Sequence, residues 1–73
     1  MSNILPQQLL LLELLVMSGD IAASESAGDS LLHRTLSECE RKGWITVKRF
    51  GAGFNKVSVT EAGRALAREK LAG

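Results

Sequence analysis

Residues 29–63 read DSLLHRTLSECERKGWITVKRFGAGFNKVSVTEAG, and this stretch decides the fold. From Asp29 to about Lys42 the apolar residues recur at helical spacing, and Gly43 follows where such a helix would end in the left-handed conformation. Apolar and polar residues then alternate on either side of a glycine-rich tip, residues 50–55, as they do in a two-stranded hairpin. The stretch therefore predicts a helix that leads directly into a hairpin.

The hairpin is expected to bury one face and to be followed by a last helix. Thr60 is placed to cap that helix, which includes Leu66 and Leu71. The side chains expected on the buried face of the hairpin are Ile45, Val47, Val57 and Val59. Trp44, at the start of the first strand, is also expected in the core.

The helix over residues 29–42 sorts its side chains into two faces at about 100° per residue. The apolar face is Leu32, Leu36 and Cys39, widened by Leu31 and Thr35. The polar face is Ser30, His33, Arg34, Ser37 and Arg41, with the acidic Asp29, Glu38 and Glu40 at its margins. A helix that buries one side and offers hydroxyl, imidazole and guanidinium groups on the other suits a DNA major groove.

Charge is unevenly distributed along the chain, although the net charge is only +1. Residues 1–28 contain three acidic residues and no Lys or Arg, whereas residues 29–73 contain nine basic and five acidic residues, a balance of +4. The segment from Arg41 to Ser58 has five basic residues and no acid. This pattern indicates one basic surface around the hairpin, which either binds nucleic acid or keeps an edge hairpin soluble.

An earlier helix is expected from Leu5 or Pro6 to Ser18, with Gly19 ending it. This helix is apolar on all sides, and a chain of 73 residues has little mass with which to cover it. We therefore expect it to pack on its own domain with one face and on a second copy of the chain with another. The expected dimer interface is Leu10, Leu11, Leu14 and Leu15. The alternative is a central helix that the other helices of the monomer cover.

Residues 20–28 give the weakest pattern. A short helix capped by Asp20 is consistent with Ile21, Ala22 and Ala23. A turn is expected at Ala27–Gly28, and Asp29 is expected to cap the long helix that follows. Two helices across such a turn would form a helix-turn-helix, in which the second helix enters the groove.

Two sequence motifs carry a family resemblance. Residues 36–45, LSECERKGWI, are followed by the basic hairpin and then by VTEAGR at residues 59–64. In this order they resemble the winged helix-turn-helix of MarR-type transcription regulators, in which a recognition helix ending in Lys-Gly leads into a wing and then Thr-Glu-Ala-Gly. The resemblance implies one α+β domain over residues 1–73, with three helices, a two-stranded wing and a C-terminal helix. Proteins of that family are roughly twice as long, with additional helices at both ends, so we expect no small-molecule effector site here.

By this resemblance the chain binds double-stranded DNA with some sequence preference and regulates transcription. The recognition helix (about residues 29–42) would enter the major groove, and the wing (about residues 44–60) would contact the backbone. The implied DNA-binding residues are Ser30, His33, Arg34, Ser37 and Arg41 on the helix and Lys48, Arg49 and Lys56 on the wing. Two alternatives stay open: a winged-helix module for protein–protein contact that does not bind DNA, and an accessory DNA-binding factor of phage or plasmid type.

Other classes of function have little support in the sequence. One histidine, no tyrosine and scattered acids do not indicate an enzyme, and Gly51-Ala52-Gly53 lacks the rest of a dinucleotide-binding fingerprint. The single cysteine, Cys39, allows no internal disulfide and with one histidine cannot complete a zinc shell, so we expect it to be an inert packing residue, with no metal and no cofactor. The leucine-rich start is too short and too interrupted by Glu13 to span a membrane. A cytoplasmic location is the expectation.

Overall fold

The chain forms a small α+β fold. Its structure, a computed structural model, describes residues 4–24 and 30–72. In chain order the elements are α1 (Pro6–Ser18), β1 (Ile21–Ser24), α2 (Leu31–Arg41), β2 (Ile45–Arg49), β3 (Phe54–Val59) and α3 (Glu61–Ala72). Within these described residues no helix is long and apolar enough to cross a membrane.

The three strands form one antiparallel sheet with the order β1-β3-β2. In the β2–β3 hairpin Ile45 lies opposite Val59 and Val47 opposite Val57, so these four side chains share one face, as expected. Gly51 and Gly53 at its tip both take positive φ, +69° and +81°, which glycine adopts without the steric penalty of a Cβ.

The short helix expected over Ile21–Ala23 is wrong, because these residues form strand β1. Ile21 pairs with Val57 and Ala23 with Asn55, so β1 satisfies the backbone groups along the edge of β3 that β2 leaves free. A four-residue segment gains more from that pairing than from one isolated helical turn. The expected two-stranded sheet is thus three-stranded, while the turn expected at Ala27–Gly28 lies outside the described residues.

Helix α1 begins and ends where the sequence predicts, at Pro6 and before Gly19. Gly19 has φ +82° and its N–H donates to Leu15 O at 2.9 Å. At the other end the N–H of Leu5 donates to Gln8 Oε1 at 3.0 Å, so the third residue of the helix caps its start.

Helix α2 is capped by Ser30, whose Oγ accepts from the N–H of His33 at 3.2 Å. The cap expected at Asp29 lies outside the described residues. At the end of the helix Gly43 takes φ +82°, as predicted. Thr35, Leu36 and Cys39 are buried, also as expected.

Leu31 and Leu32 depart from the expected buried face of α2, since they are 61% and 46% exposed. Both lie in the first turn of the helix, ahead of its buried residues Thr35, Leu36 and Cys39. They lie on the same side of the helix as the buried residues, but this position on the helix is not enough to bury them.

The core lies between the helices and one face of the sheet. Its buried apolar members are Leu11, Leu12, Leu15, Ala23, Leu36, Cys39, Ile45, Val57 and Ala67. Partly buried side chains, including Trp44, Val47, Val59 and Leu66, pack against it. Every helix and every strand contributes at least one buried residue, so the core unites the whole described chain.

The start of α3 is fastened to the junction between α2 and β2. Thr60 caps α3 as predicted, since the N–H of Gly63 donates to Thr60 Oγ1 at 3.1 Å. The Thr60 hydroxyl donates to Gly43 O at 2.7 Å, and the Thr60 N–H donates to Trp44 O at 2.9 Å. Gly63 itself passes so close to the Trp44 carbonyl that a Cβ at this position would overlap the oxygen.

Candidate nucleic-acid interface

The outward face of α2 carries three of the residues expected to bind DNA. Arg34, Ser37 and Arg41 are exposed and lie opposite the buried face of the helix. The two arginines are seven residues apart, which at 1.5 Å per residue places their Cα atoms about 10.5 Å apart along one stripe. Glu40, at the margin of this stripe, is also exposed. The face therefore offers two guanidinium groups and a hydroxyl on a single helix.

Ser30 and His33 differ from the residues of that stripe because they interact with each other in the cap of α2. Ser30 Oγ accepts from the His33 backbone N–H at 3.2 Å and also lies 3.4 Å from His33 Nδ1. Both residues are half-buried. The Ser30 hydroxyl thus has a structural role, and a contact of His33 with DNA would have to use the Nε2 edge of its ring.

The hairpin places two lysines side by side. Lys48 and Lys56 are direct cross-strand partners, and both are exposed. Strand alternation puts them on the face of the sheet opposite Val47 and Val57, which pack in or against the core. Like charges in direct cross-strand register repel each other, so the two ammonium groups concentrate positive charge at this point of the sheet.

Arg49 and Lys56 have surroundings that the sequence did not indicate. Arg49 pairs with Asn55 and by alternation lies on the opposite face of the sheet from Lys48, although it is exposed. Lys56 Nζ lies 3.3 Å from Asp20 Oδ2, and both side chains are about half exposed. An exposed pair of this kind contributes little stability and is screened by salt, so Lys56 can exchange Asp20 for a phosphate at small cost.

The hairpin tip also exposes aromatic surface. Phe50 and Phe54 are 56% and 49% exposed, and the Phe50 N–H donates to Phe54 O at 2.9 Å. The backbone bond closes the tip, while both rings keep about half of their surface open to a partner beside the basic side chains.

The junction between α2 and the hairpin is short and hydrogen-bonded. The Trp44 N–H donates to Cys39 O at 3.0 Å, and the carbonyls of Gly43 and Trp44 accept from Thr60. Lys42 Nζ lies 6.0 Å from the centre of the Trp44 ring, at the outer limit of a cation–π contact. Hydrogen bonds thus hold the three-residue link, residues 42–44, between the helix and the hairpin.

Gln8 and Glu38 form a buried tie between α1 and α2 that sequence reasoning missed. Gln8 is only 4% exposed, and its Nε2 donates to Glu38 Oε1 at 2.8 Å. The helical pattern gave no reason to bury a glutamine. Gln8 is the third residue of α1, where the glutamine or glutamate of a capping box lies, and this position was the one indication of its role in the sequence.

The four leucines expected at a dimer interface divide into two groups. Leu11 and Leu15 are 5% and 1% exposed and belong to the core of their own chain. Leu10 and Leu14 face outward, so only these two of the four are accessible to a second molecule.

Cys39 is buried among the core residues, in agreement with its expected packing role. Burial raises the pKa of its thiol from 9.0 to about 11, and the nearby Glu38 carboxylate adds to the rise. The thiol therefore stays protonated and unreactive at neutral pH.

Comparison of the chain with protein-family models, with curated proteins and with solved structures gives no match.

Proposed function

We propose that this chain binds double-stranded DNA as a small winged-helix transcription regulator of the type its sequence resembles. Helix α2 would lie in the major groove with Arg34, Ser37 and Arg41 towards the bases, and the β2–β3 hairpin would act as the wing on the adjacent backbone. The observation that carries the proposal is the exposed Lys48–Lys56 cross-strand pair, joined through a hydrogen-bonded link to the arginine face of α2.

The strand at Ile21–Ser24 changes how such a motif would be built. In a helix-turn-helix the recognition helix is supported by a second helix packed across it. We assign that supporting role to α1, which contacts α2 and is tied to it by the hydrogen bond from Gln8 to Glu38. Helix α2 would then be held by α1 on one side and by the hairpin junction on the other.

The two groups of basic residues have different roles in this proposal. Arg34 would read bases, because its guanidinium can donate two hydrogen bonds to a guanine edge. Lys48 and Lys56 would neutralise phosphates, which provides affinity that depends on salt and not on sequence.

The test compares Arg34→Ala and Lys48→Ala in binding to a set of duplexes at several salt concentrations. Arg34→Ala should weaken binding to the preferred sequence by about 1–3 kcal/mol and reduce discrimination among sequences. Lys48→Ala should weaken binding to all duplexes alike and lower the slope of log K against log salt by about one unit. Arg68→Ala is the control, since Arg68 is an exposed base on α3, outside the proposed interface.

Amide NMR titration with a mixed-sequence duplex locates the interface directly. We expect shifts in residues 33–42 and 46–56 that diminish as salt increases. An absence of shifts at low salt, or equal effects of the Arg34 and Lys48 variants on every sequence, would contradict the proposal.

A second candidate function is a winged-helix module for protein–protein contact. It is favoured by the exposed apolar side chains of α1 and of the first turn of α2, which include Leu10, Met17 and Leu31. The same titration separates the two functions, because a protein-binding module would give no salt-dependent shifts in α2 and the hairpin on addition of DNA.

A further inference from the structure

An apolar surface runs along α1 and the start of α2. A groove of about 470 Å³ lies between the two helices. Its large exposed apolar side chains are Leu10, Leu14, Met17, Leu31 and Leu32. Leu10 is 67% exposed and Met17 is 83% exposed. A surface of this kind on so small a chain indicates an interaction site.

The surface follows from the two helical patterns. In α1 the buried residues Leu11, Leu12 and Leu15 occupy one side, while Leu10, Leu14 and Met17 recur at spacings of four and three on the other. This second set forms an apolar ridge along the outside of α1. This ridge lines the groove together with Leu31 and Leu32 of α2.

We propose that this surface binds a second copy of the same chain, so that the protein is a homodimer through α1 and the first turn of α2. A ridge and a groove that lie next to each other on one surface are self-complementary. In a two-fold arrangement the ridge of each copy can enter the groove of the other.

The charges around the groove favour a like copy over a charged partner. Glu13 is the one charged residue among the described residues that line the groove, and residues 1–28 contain no Lys or Arg. A basic or acidic amphipathic helix would therefore find almost no complementary charge. A second copy presents the same nearly uncharged surface and requires none.

The available area suits a weak dimer. Helix α1 has 13 residues and is therefore about 20 Å long. Two adjacent helices, each about 10 Å across, make a face at most about 20 Å wide. Such a face covers about 400 Å² on each copy, so the dimer buries on the order of 800 Å² in total, which is the size of weak interfaces. We expect a dissociation constant of roughly tens of micromolar.

The experiment is done without DNA, so that its outcome does not depend on whether the chain binds DNA. Sedimentation equilibrium of the whole chain is measured from about 1 to 500 µM for the wild type and for Leu10→Glu. The wild type should approach twice the monomer mass of 7.9 kDa as concentration rises. Leu10→Glu should weaken the dimer at least about 100-fold, because the carboxylate would be desolvated without a partner.

Two further variants keep the result interpretable. Met17→Lys changes the most exposed side chain of the ridge and should likewise give a folded monomer. Phe50→Glu is the matched control, since Phe50 is an exposed apolar residue at the hairpin tip and does not line the groove. It should dimerise like the wild type. Circular dichroism verifies that each variant is folded.

A wild-type chain that remains monomeric at 500 µM would overturn the proposal and would leave the groove to a different protein. A dimer that survives both ridge substitutions would also overturn it, since the interface would then lie elsewhere. Neither result affects DNA binding, which the Arg34 and Lys48 variants test separately.

Discussion

Replacing Gly63 with alanine should destabilise the protein, although helix propensity alone predicts the opposite. Gly63 is the third residue of α3, where alanine is intrinsically favoured over glycine by up to about 1 kcal/mol. A Cβ at this position would overlap the carbonyl oxygen of Trp44. It would also lie 3.0 Å from the Trp44 carbonyl carbon and 3.0 Å from Val59 Cγ2. The Trp44 oxygen cannot withdraw freely, because it accepts the hydrogen bond from the Thr60 N–H.

The size of the effect follows from these contacts. Forcing an extra methyl group into a packed site costs about 1–3 kcal/mol, and occasionally more. Moving the Trp44 carbonyl also weakens its bond to the Thr60 N–H, which contributes about 1 kcal/mol. After the gain in propensity is subtracted, the free energy of unfolding should fall by about 1–3 kcal/mol. For a chain of this size that corresponds to a decrease in Tm of roughly 5–20 °C.

The assay is thermal and urea unfolding followed by circular dichroism, at one fixed protein concentration because self-association would shift the midpoint. The control is Ala65→Gly, an exposed position in the same helix, which should lose only about 1 kcal/mol through propensity. If Gly63→Ala is as stable as the wild type or more stable, the close approach of α3 to the α2–β2 junction is not a constraint and the reasoning fails.

Two buried groups give the remaining predictions. Gln8→Ala removes the hydrogen-bond partner of the Glu38 carboxylate and of the Leu5 N–H, so the free energy of unfolding should fall by about 2 kcal/mol in urea titrations. The control, Gln7→Ala, should change it by less than about 0.5 kcal/mol. Equal effects of the two variants would contradict a stabilising role for the Gln8 hydrogen bonds. The pKa of the Cys39 thiol is raised from 9.0 to about 11 in the folded state. The unfolded chain therefore loses this proton at a lower pH than the folded chain. The free energy of unfolding should decline as pH rises from 9 to 11, by roughly 2–3 kcal/mol in all. Cys39→Ala should lack this decline, and the native thiol should react with iodoacetamide about 100-fold more slowly than a free thiol at pH 8; rapid native alkylation would show that Cys39 is accessible.

Local patterns in the sequence determined most of the secondary structure. Gly19 and Gly43 end helices in a positive-φ conformation that glycine adopts readily, and Thr60 caps α3. The alternation of Ile45–Val47 with Val57–Val59 set the register of the hairpin. These features depend on neighbouring residues, so the sequence contains their signals.

The tertiary structure decided which elements meet. Ile21–Ser24 has too few residues to specify its own conformation, and it is a strand because β3 offers an unpaired edge. Leu31 and Leu32 have the phase of buried residues but lie in the first turn of α2, ahead of its buried positions, and are exposed. Gly63 is restricted by a carbonyl nineteen positions earlier in the chain.

The candidate interface shows the same division. Helical periodicity was enough to place Arg34, Ser37 and Arg41 on the outward face of α2, because their phase is opposite that of its buried side chains. The roles of Ser30 as a cap and of Asp20 as the ion-pair partner of Lys56 emerged only from the folded chain. Local geometry is encoded within a few residues, whereas burial and pairing depend on what the rest of the fold brings alongside.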